Sequence, residues 1–119
     1  MRLLTEHIVV EVIDGDTFDV SPNWQFDDLT GYRVRIVDFD APELKDSGVS
    51  GEVAKKLTEK LTSLILNKKI TIVEGFTVDK YGRLICDVAF NNRNLSRLLD
   101  RMLTQIEEAA TQRSSQSNR

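Results

Sequence analysis

The chain has 119 residues, 40% of them hydrophobic, which suits a single domain around one core and leaves no material for a second. Its single cysteine excludes an intrachain disulfide and a thiolate zinc cluster, and no apolar run approaches a signal-peptide core or a membrane span, so a cytoplasmic protein without a membrane partner is the expectation. The net charge of −3 argues mildly against nucleic acid, but residues 1–50 carry eleven acids and four bases whereas residues 51–119 carry eight acids and twelve bases; if the acid clusters near 14–19 and 38–46 hold a divalent cation, that objection lapses.

Residues 7–14 (HIVVEVID) read as a first strand, ending in the tight turn Asp14-Gly15-Asp16, where Gly15 is free to take a positive φ. Thr17–Val20 continues as a second strand, broken at Ser21-Pro22-Asn23, and a loop with Trp24 and Phe26 as anchors leads to a third strand over Tyr32–Val37. A helix is predicted over residues 52–66, with Ser50 as N-cap and an apolar face of Ala54, Leu57, Leu61, Leu64 and Ile65. Lys68–Glu74 and Leu84–Phe90 follow as a fourth and a fifth strand, the latter alternating strictly. A second helix starts near Ser96 with Leu95, Leu98, Leu99, Met102, Leu103 and Ile106 on its buried stripe. The domain spans residues 1–110, and residues 111–119 read as a polar disordered tail. His7 is expected at the surface and Cys86 in the core, chemically inert. Three strands, a helix, two strands and a helix fit an α+β fold that is mainly a β barrel: an OB-fold of five strands, with one helix between strands three and four and one at the C-terminus.

Charge concentrates in three segments at element ends: IDGDT (13–17), RIVDFDAPE (35–43) and DKYGR (79–83). Hard cations take oxygen ligands, and carboxylates at a strand end beside a rigid proline turn can supply them. Planar guanidinium forks match phosphate oxygens in a way that lysine does not. Taken singly, each segment reads as an ordinary hairpin turn, an ion-paired strand or a solvated acidic loop. Their occurrence together and in this order is the informative feature.

Together these segments resemble the thermonuclease, or staphylococcal nuclease-like, family over roughly residues 8–100. The resemblance implies an OB-fold and a calcium-dependent hydrolysis of DNA or RNA phosphodiesters that leaves 3′-phosphate and 5′-hydroxyl ends. It places the Ca²⁺ on the carboxylates of Asp16 and Asp40 and on the backbone carbonyl of Ala41. It assigns Arg35 and Arg83 to the phosphate, Glu43 to the attacking water, and Lys80 and Tyr81 to the terminal phosphate of a bound nucleotide. Asp14 is expected to brace its turn and Asp38 to be solvated. The implied substrate is nucleic acid, single-stranded in preference, and the implied state a monomer, with a dimer through the Leu98–Ile106 stripe as an alternative. A different class of function, a non-catalytic OB-fold module binding single-stranded nucleic acid or a protein, would use the same barrel. Two departures stand out: alanine at position 41 lacks the hydroxyl of the threonine in well-studied members, and no tyrosine or tryptophan follows Tyr81 to line the pocket.

Overall fold

A computed structural model describes residues 1–117, with the side chains of residues 1–112. Its elements are β1 (Arg2–Asp14), β2 (Thr17–Phe26), β3 (Leu29–Ile36), α1 (Gly48–Ile65), β4 (Lys69–Val78), β5 (Leu84–Phe90), the two-residue β6 (Arg93–Asn94) and α2 (Leu95–Ser117). The first five strands pair antiparallel in the order β3-β2-β1-β4-β5. A parallel pairing of β3 with β5 then closes the sheet, with Val34 opposite Leu84, Arg35 opposite Ile85 and Ile36 opposite Cys86. Closure abolishes the free edges of the sheet, and the result is the expected five-stranded OB-type barrel with two helices.

Alternation fills the interior. Leu84, Cys86, Val88 and Phe90 of β5 point inward while the residues between them are half-exposed. Helix α1 lays Val53, Ala54, Leu57, Leu61 and Ile65 against the barrel, all buried. Leu95, Leu99 and Ile106 of α2 join the same core, with Leu98, Met102 and Leu103 partly buried beside them. Among the described residues no helix is long and apolar enough to cross a membrane. Burial pushes the Cys86 thiol far above its ordinary range, so the thiolate that reactivity requires is suppressed, as expected.

Several local expectations are corrected by pairing that only the tertiary structure creates. Strand β1 begins at Arg2 rather than His7 because it pairs with β4 out to Arg2 opposite Glu74, and β4 extends to Val78 because it pairs with β5 out to Val78 opposite Leu84. Strand β2 does not stop at Pro22. It runs on to Phe26, paired with β3 from Leu29, and Trp24 is a buried strand residue instead of a loop anchor. Its indole Nε1–H donates to the Arg33 carbonyl at 2.9 Å. Directly opposite lies Gly31, where an added Cβ would stand 2.6 Å from the indole ring, so the glycine makes room for the tryptophan. His7 is buried, not at the surface: Nδ1–H donates to the Pro22 carbonyl at 2.7 Å and Nε2 meets the Thr5 hydroxyl at 2.8 Å. Helix α1 starts two residues before Ser50, with Ser47 at the cap position, and Ser50 Oγ donates to Asp46. The backbone of α2 stays helical to Ser117, across the start of the tail expected from residue 111; neither glycine nor proline interrupts it. Residues 118–119 of that tail lie outside the described residues.

Candidate active cleft

The β1–β2 turn, the segment after β3 and the β4–β5 turn meet at one end of the barrel. There they enclose a cleft of about 420 Å³ whose walls include Asp14, Asp16, Arg35, Asp40, Ala41 and Glu43. Arg83, Leu44 and Lys45 complete it. Residues distant in sequence therefore share one concavity, and the parallel closure is the cause: β3 alongside β5 sets Arg35 beside the strand that Arg83 leads into.

Asp16 forms the floor of the cleft and is buried. Its Oδ1 accepts the Thr17 hydroxyl at 2.9 Å and its Oδ2 accepts the Ala41 N–H at 3.2 Å. The Asp16 carbonyl accepts the Ile36 N–H at 2.9 Å, which pins the turn to the end of β3. Asp14 braces the turn from the other side, its Oδ1 accepting the Asp16 N–H at 3.1 Å. Burial first, and then the carboxylate of Asp14, hold the Asp16 carboxyl above its ordinary value of 3.8. The Arg35 guanidinium, with Nε 3.6 Å from Asp16 Oδ2, does not offset this.

Gly15 does not use its conformational freedom. Its φ is not positive; only Gly48 and Gly82 among the glycines take that conformation. What the position requires is space: a Cβ at residue 15 would lie 2.7 Å from Leu57 Cδ2 and 2.9 Å from Ala41 Cβ.

After β3 the chain turns at Asp38, which adopts a left-handed φ of 61° that aspartate tolerates better than most residues. The turn sends Phe39 into the core and leaves Asp40 with a side chain 91% exposed. Asp38 is itself solvent-exposed, as expected. Arg35 Nη2 donates to Asp40 Oδ1 at 3.2 Å, so one guanidinium lies within reach of both Asp16 and Asp40. Glu43 is exposed at the rim, with Lys45 Nζ 3.1 Å from its Oε2. A pair this open to water contributes little to stability.

Arg83 is held by a partner that the sequence reading passed over. Asp79 Oδ2 accepts from Arg83 Nε at 2.7 Å, while Asp79 Oδ1 accepts the backbone N–H groups of Tyr81 and Arg83 at 2.9 and 3.0 Å. Burial raises the Asp79 carboxyl, but the hydrogen bonds from Arg83 and Tyr81 outweigh it and hold the group below 3.8. The four-residue spacing of Asp79 and Arg83 around a glycine turn is the one sequence signal that could have suggested this clamp. Lys80 and Tyr81 do not line the cleft; they sit on the same turn at its edge. Tyr81 is 71% exposed, with Lys80 Nζ 5.2 Å and the Arg83 guanidinium 5.4 Å from its ring centre. Arg35, Arg83, Asp16, Asp40, Ala41 and Glu43 are thus brought together, whereas Lys80 and Tyr81 are adjacent to them. Asp14, Lys45 and Asp79 are the additions.

The donor set can be tested for a divalent cation. Among the described residues no three histidine, cysteine, aspartate or glutamate side chains form a ready cage. Four carboxylates face three cationic side chains in the cleft, so its formal charge is −1. The ligands on offer are all oxygen: two carboxylates, one of them desolvated, and the Ala41 carbonyl, whose own N–H is already engaged. Such a set fits a hard cation completed by water, and a double positive charge would turn the cleft from repelling to attracting a phosphate.

A family model for staphylococcal nuclease homologues matches residues 33–115 of the chain. Among curated relatives, an uncharacterized endonuclease of Escherichia coli O157:H7 is 35% identical over 80 residues, which are 67% of this chain and 45% of the relative. Protein ParB of Escherichia coli is 37% identical over 89 residues, 75% of this chain and 44% of the relative. A micrococcal nuclease of Shigella flexneri is 36% identical over 78 residues, 65% of this chain and 38% of the relative. The chain spans less than half the length of these curated relatives.

Proposed function

The chain belongs to the staphylococcal nuclease family, and from that premise we propose that it is a metal-dependent nuclease cleaving phosphodiester bonds of DNA or RNA. The observation that carries this reading is the convergence of Asp16, Arg35, Asp40, Glu43 and Arg83 on one cleft from three separate segments. The names of the relatives, an endonuclease and a micrococcal nuclease, point the same way.

In this reading Asp16, Asp40 and the Ala41 carbonyl hold the cation, Ca²⁺ by the family resemblance. Bound there, a divalent ion supplies positive charge that polarises a phosphoryl oxygen. The remaining roles belong to the protein. Asp79 engages Nε of Arg83 and thereby sets the plane of its guanidinium, leaving the terminal nitrogens to donate to phosphate oxygens. Arg35 reaches the carboxylates of both Asp16 and Asp40, so its guanidinium is placed to donate to a phosphate bound beside a cation that they would hold. Two guanidinium groups aimed at one phosphorus favour the five-coordinate state, in which negative charge grows. Glu43 stands at the open rim with only a solvated lysine as partner, free to orient water and accept its proton. As the water oxygen adds to phosphorus, the bond from phosphorus to the 5′ oxygen breaks, and the leaving oxygen takes up a proton from solvent. The family resemblance assigns the new ends as 3′-phosphate and 5′-hydroxyl, and a single strand is the substrate we favour. The family resemblance assigns Lys80 and Tyr81, on the turn at the edge of the cleft, to the terminal phosphate of a bound nucleotide.

Incubation with single-stranded DNA and RNA, with Ca²⁺ or with chelator, tests the proposal. The expected result is Ca²⁺-dependent cleavage that falls by about 10²–10⁴-fold in Glu43→Ala and by about 10²–10³-fold in Arg35→Ala. Cleavage untouched by both substitutions would refute the assignment. Binding without cleavage across Ca²⁺, Mg²⁺ and Mn²⁺ would establish the alternative of a non-catalytic nucleic-acid module.

A further inference from the structure

A second cleft, of about 370 Å³, lies where β6 passes into α2, away from the catalytic residues. Its lining is Arg93, Asn94, Arg97, Leu98 and Arg101. No acid lines it among the described residues, in contrast to the four carboxylates of the active cleft. All three arginines are exposed, and among the described residues none forms an ion pair. The carboxylate of Asp87 is occupied nearby, accepting Asn94 Nδ2–H at 3.0 Å.

The row is built, not scattered. Asn94 Oδ1 accepts the Arg97 N–H at 3.0 Å and the Ser96 hydroxyl at 2.6 Å, which fixes the first turn of α2 against the barrel. Arg97 and Arg101 then fall on one helix face, about 6 Å apart along the axis. Arg93 continues the line onto the strand side. Across Leu98, the neighbouring α1–α2 groove adds Lys56 and Lys60 with a single acid, Glu59. This chain carries a net charge of −3, so such a stretch is not a by-product of basic composition.

We propose that Arg93, Arg97 and Arg101 form an exosite for the phosphate backbone of a polynucleotide, distinct from the cleft that cuts it. The inference rests on the nuclease reading for the identity of the polyanion. Planar guanidinium groups free of carboxylates suit phosphates, and among the described residues none of the large exposed apolar side chains lies on α2, as a membrane-inserting face would require. The exosite and the active cleft are separated by the length of β5, seven residues or about 23 Å. Only a long strand engages both, so the exosite selects polymers over short oligonucleotides and acts on KM rather than kcat.

The test compares the wild-type chain with R93Q/R97Q/R101Q in chelator, by fluorescence anisotropy of a labelled 30-nucleotide single strand across a salt series. Wild-type binding is expected to show a steeper fall of log K with log salt than the variant, by about 2, the release from three phosphates. Circular dichroism and melting verify the fold; if the triple variant is unstable, R97Q and R101Q each should lower the slope by about 0.7. An unchanged slope, or 30-mer displacement by polyglutamate as effective as by unlabelled DNA, overturns the inference, as does tighter binding to anionic phospholipid vesicles than to DNA. Cleavage by wild type with an unchanged slope in the variant refutes the exosite alone; a changed slope without any cleavage refutes the nuclease reading alone.

Discussion

At the scale of single residues, the carboxylates of the cleft differ in what ionisation does to the fold. Asp79 is held below 3.8 by Arg83 and Tyr81, so its contribution to stability is present above 3.8 and is lost as pH falls through its lower native value. The gap in urea midpoint between wild type and Asp79→Asn should therefore be constant near neutrality and close once the pH drops below 3.8; a gap that persists in acid would contradict the clamp. Asp16 behaves in the opposite sense. Its native carboxyl is raised, the unfolded chain gives up its proton first, and stability declines as pH rises from 3.8 through the native value. Asp16→Asn should then melt higher than wild type at pH 7 in chelator, and Ca²⁺ should stabilise wild type only. The acids and arginines of the cleft were legible in the sequence because charge and donor geometry belong to residue types. Their partners were not: Asp79 and Lys45 act through contacts, and His7 looked like a surface histidine because nothing local reveals Pro22 across the hairpin.

At the scale of elements, α1 and the cleft meet at one glycine. Leu57 of α1 and Ala41 of the loop after β3 both crowd the place where a Cβ of residue 15 would go. Gly15→Ala should cost about 1–3 kcal/mol through overpacking and Leu57→Ala about 2–5 kcal/mol through a cavity. Because the second change makes room for the first, the double variant should be more stable than the sum of the two by about 0.5–3 kcal/mol. Additivity in chemical denaturation would show that the two side chains do not compete. The existence of every strand of the barrel and of both helices could be read from alternation and helical periodicity, which are properties of one element. Element ends could not, since they depend on how far a neighbour runs: β2 continues past Pro22 because β3 pairs with it from Leu29, and Gly31 accommodates Trp24 only across that pairing.

At the scale of the whole molecule, the parallel contact of β3 with β5 holds the barrel and the cleft together. The Val37 N–H donates to the Cys86 carbonyl and the Ile36 N–H to the Asp16 carbonyl, both at 2.9 Å. These two amides should be among the slowest to exchange with solvent, requiring global opening, while those of residues 43–47, outside any strand or helix, should exchange quickly. Comparable rates in both groups would mean that the closure opens locally. This contact was beyond the sequence reading, since order along the chain does not say which strands meet last, although the oligonucleotide-binding type of barrel was the expectation.

The same closure imposes a timetable. Asp16, Arg35, Asp40 and Glu43 all emerge from the ribosome before β5 exists, and β3 waits with an unpaired edge until Leu84–Cys86 arrive. At about 5–20 residues per second, that interval lasts roughly 3–10 seconds. A nascent chain halted before Leu84 carries all five principal cleft residues yet lacks the strand that closes the barrel beside Arg35, so assembly of the cleft follows completion of the barrel.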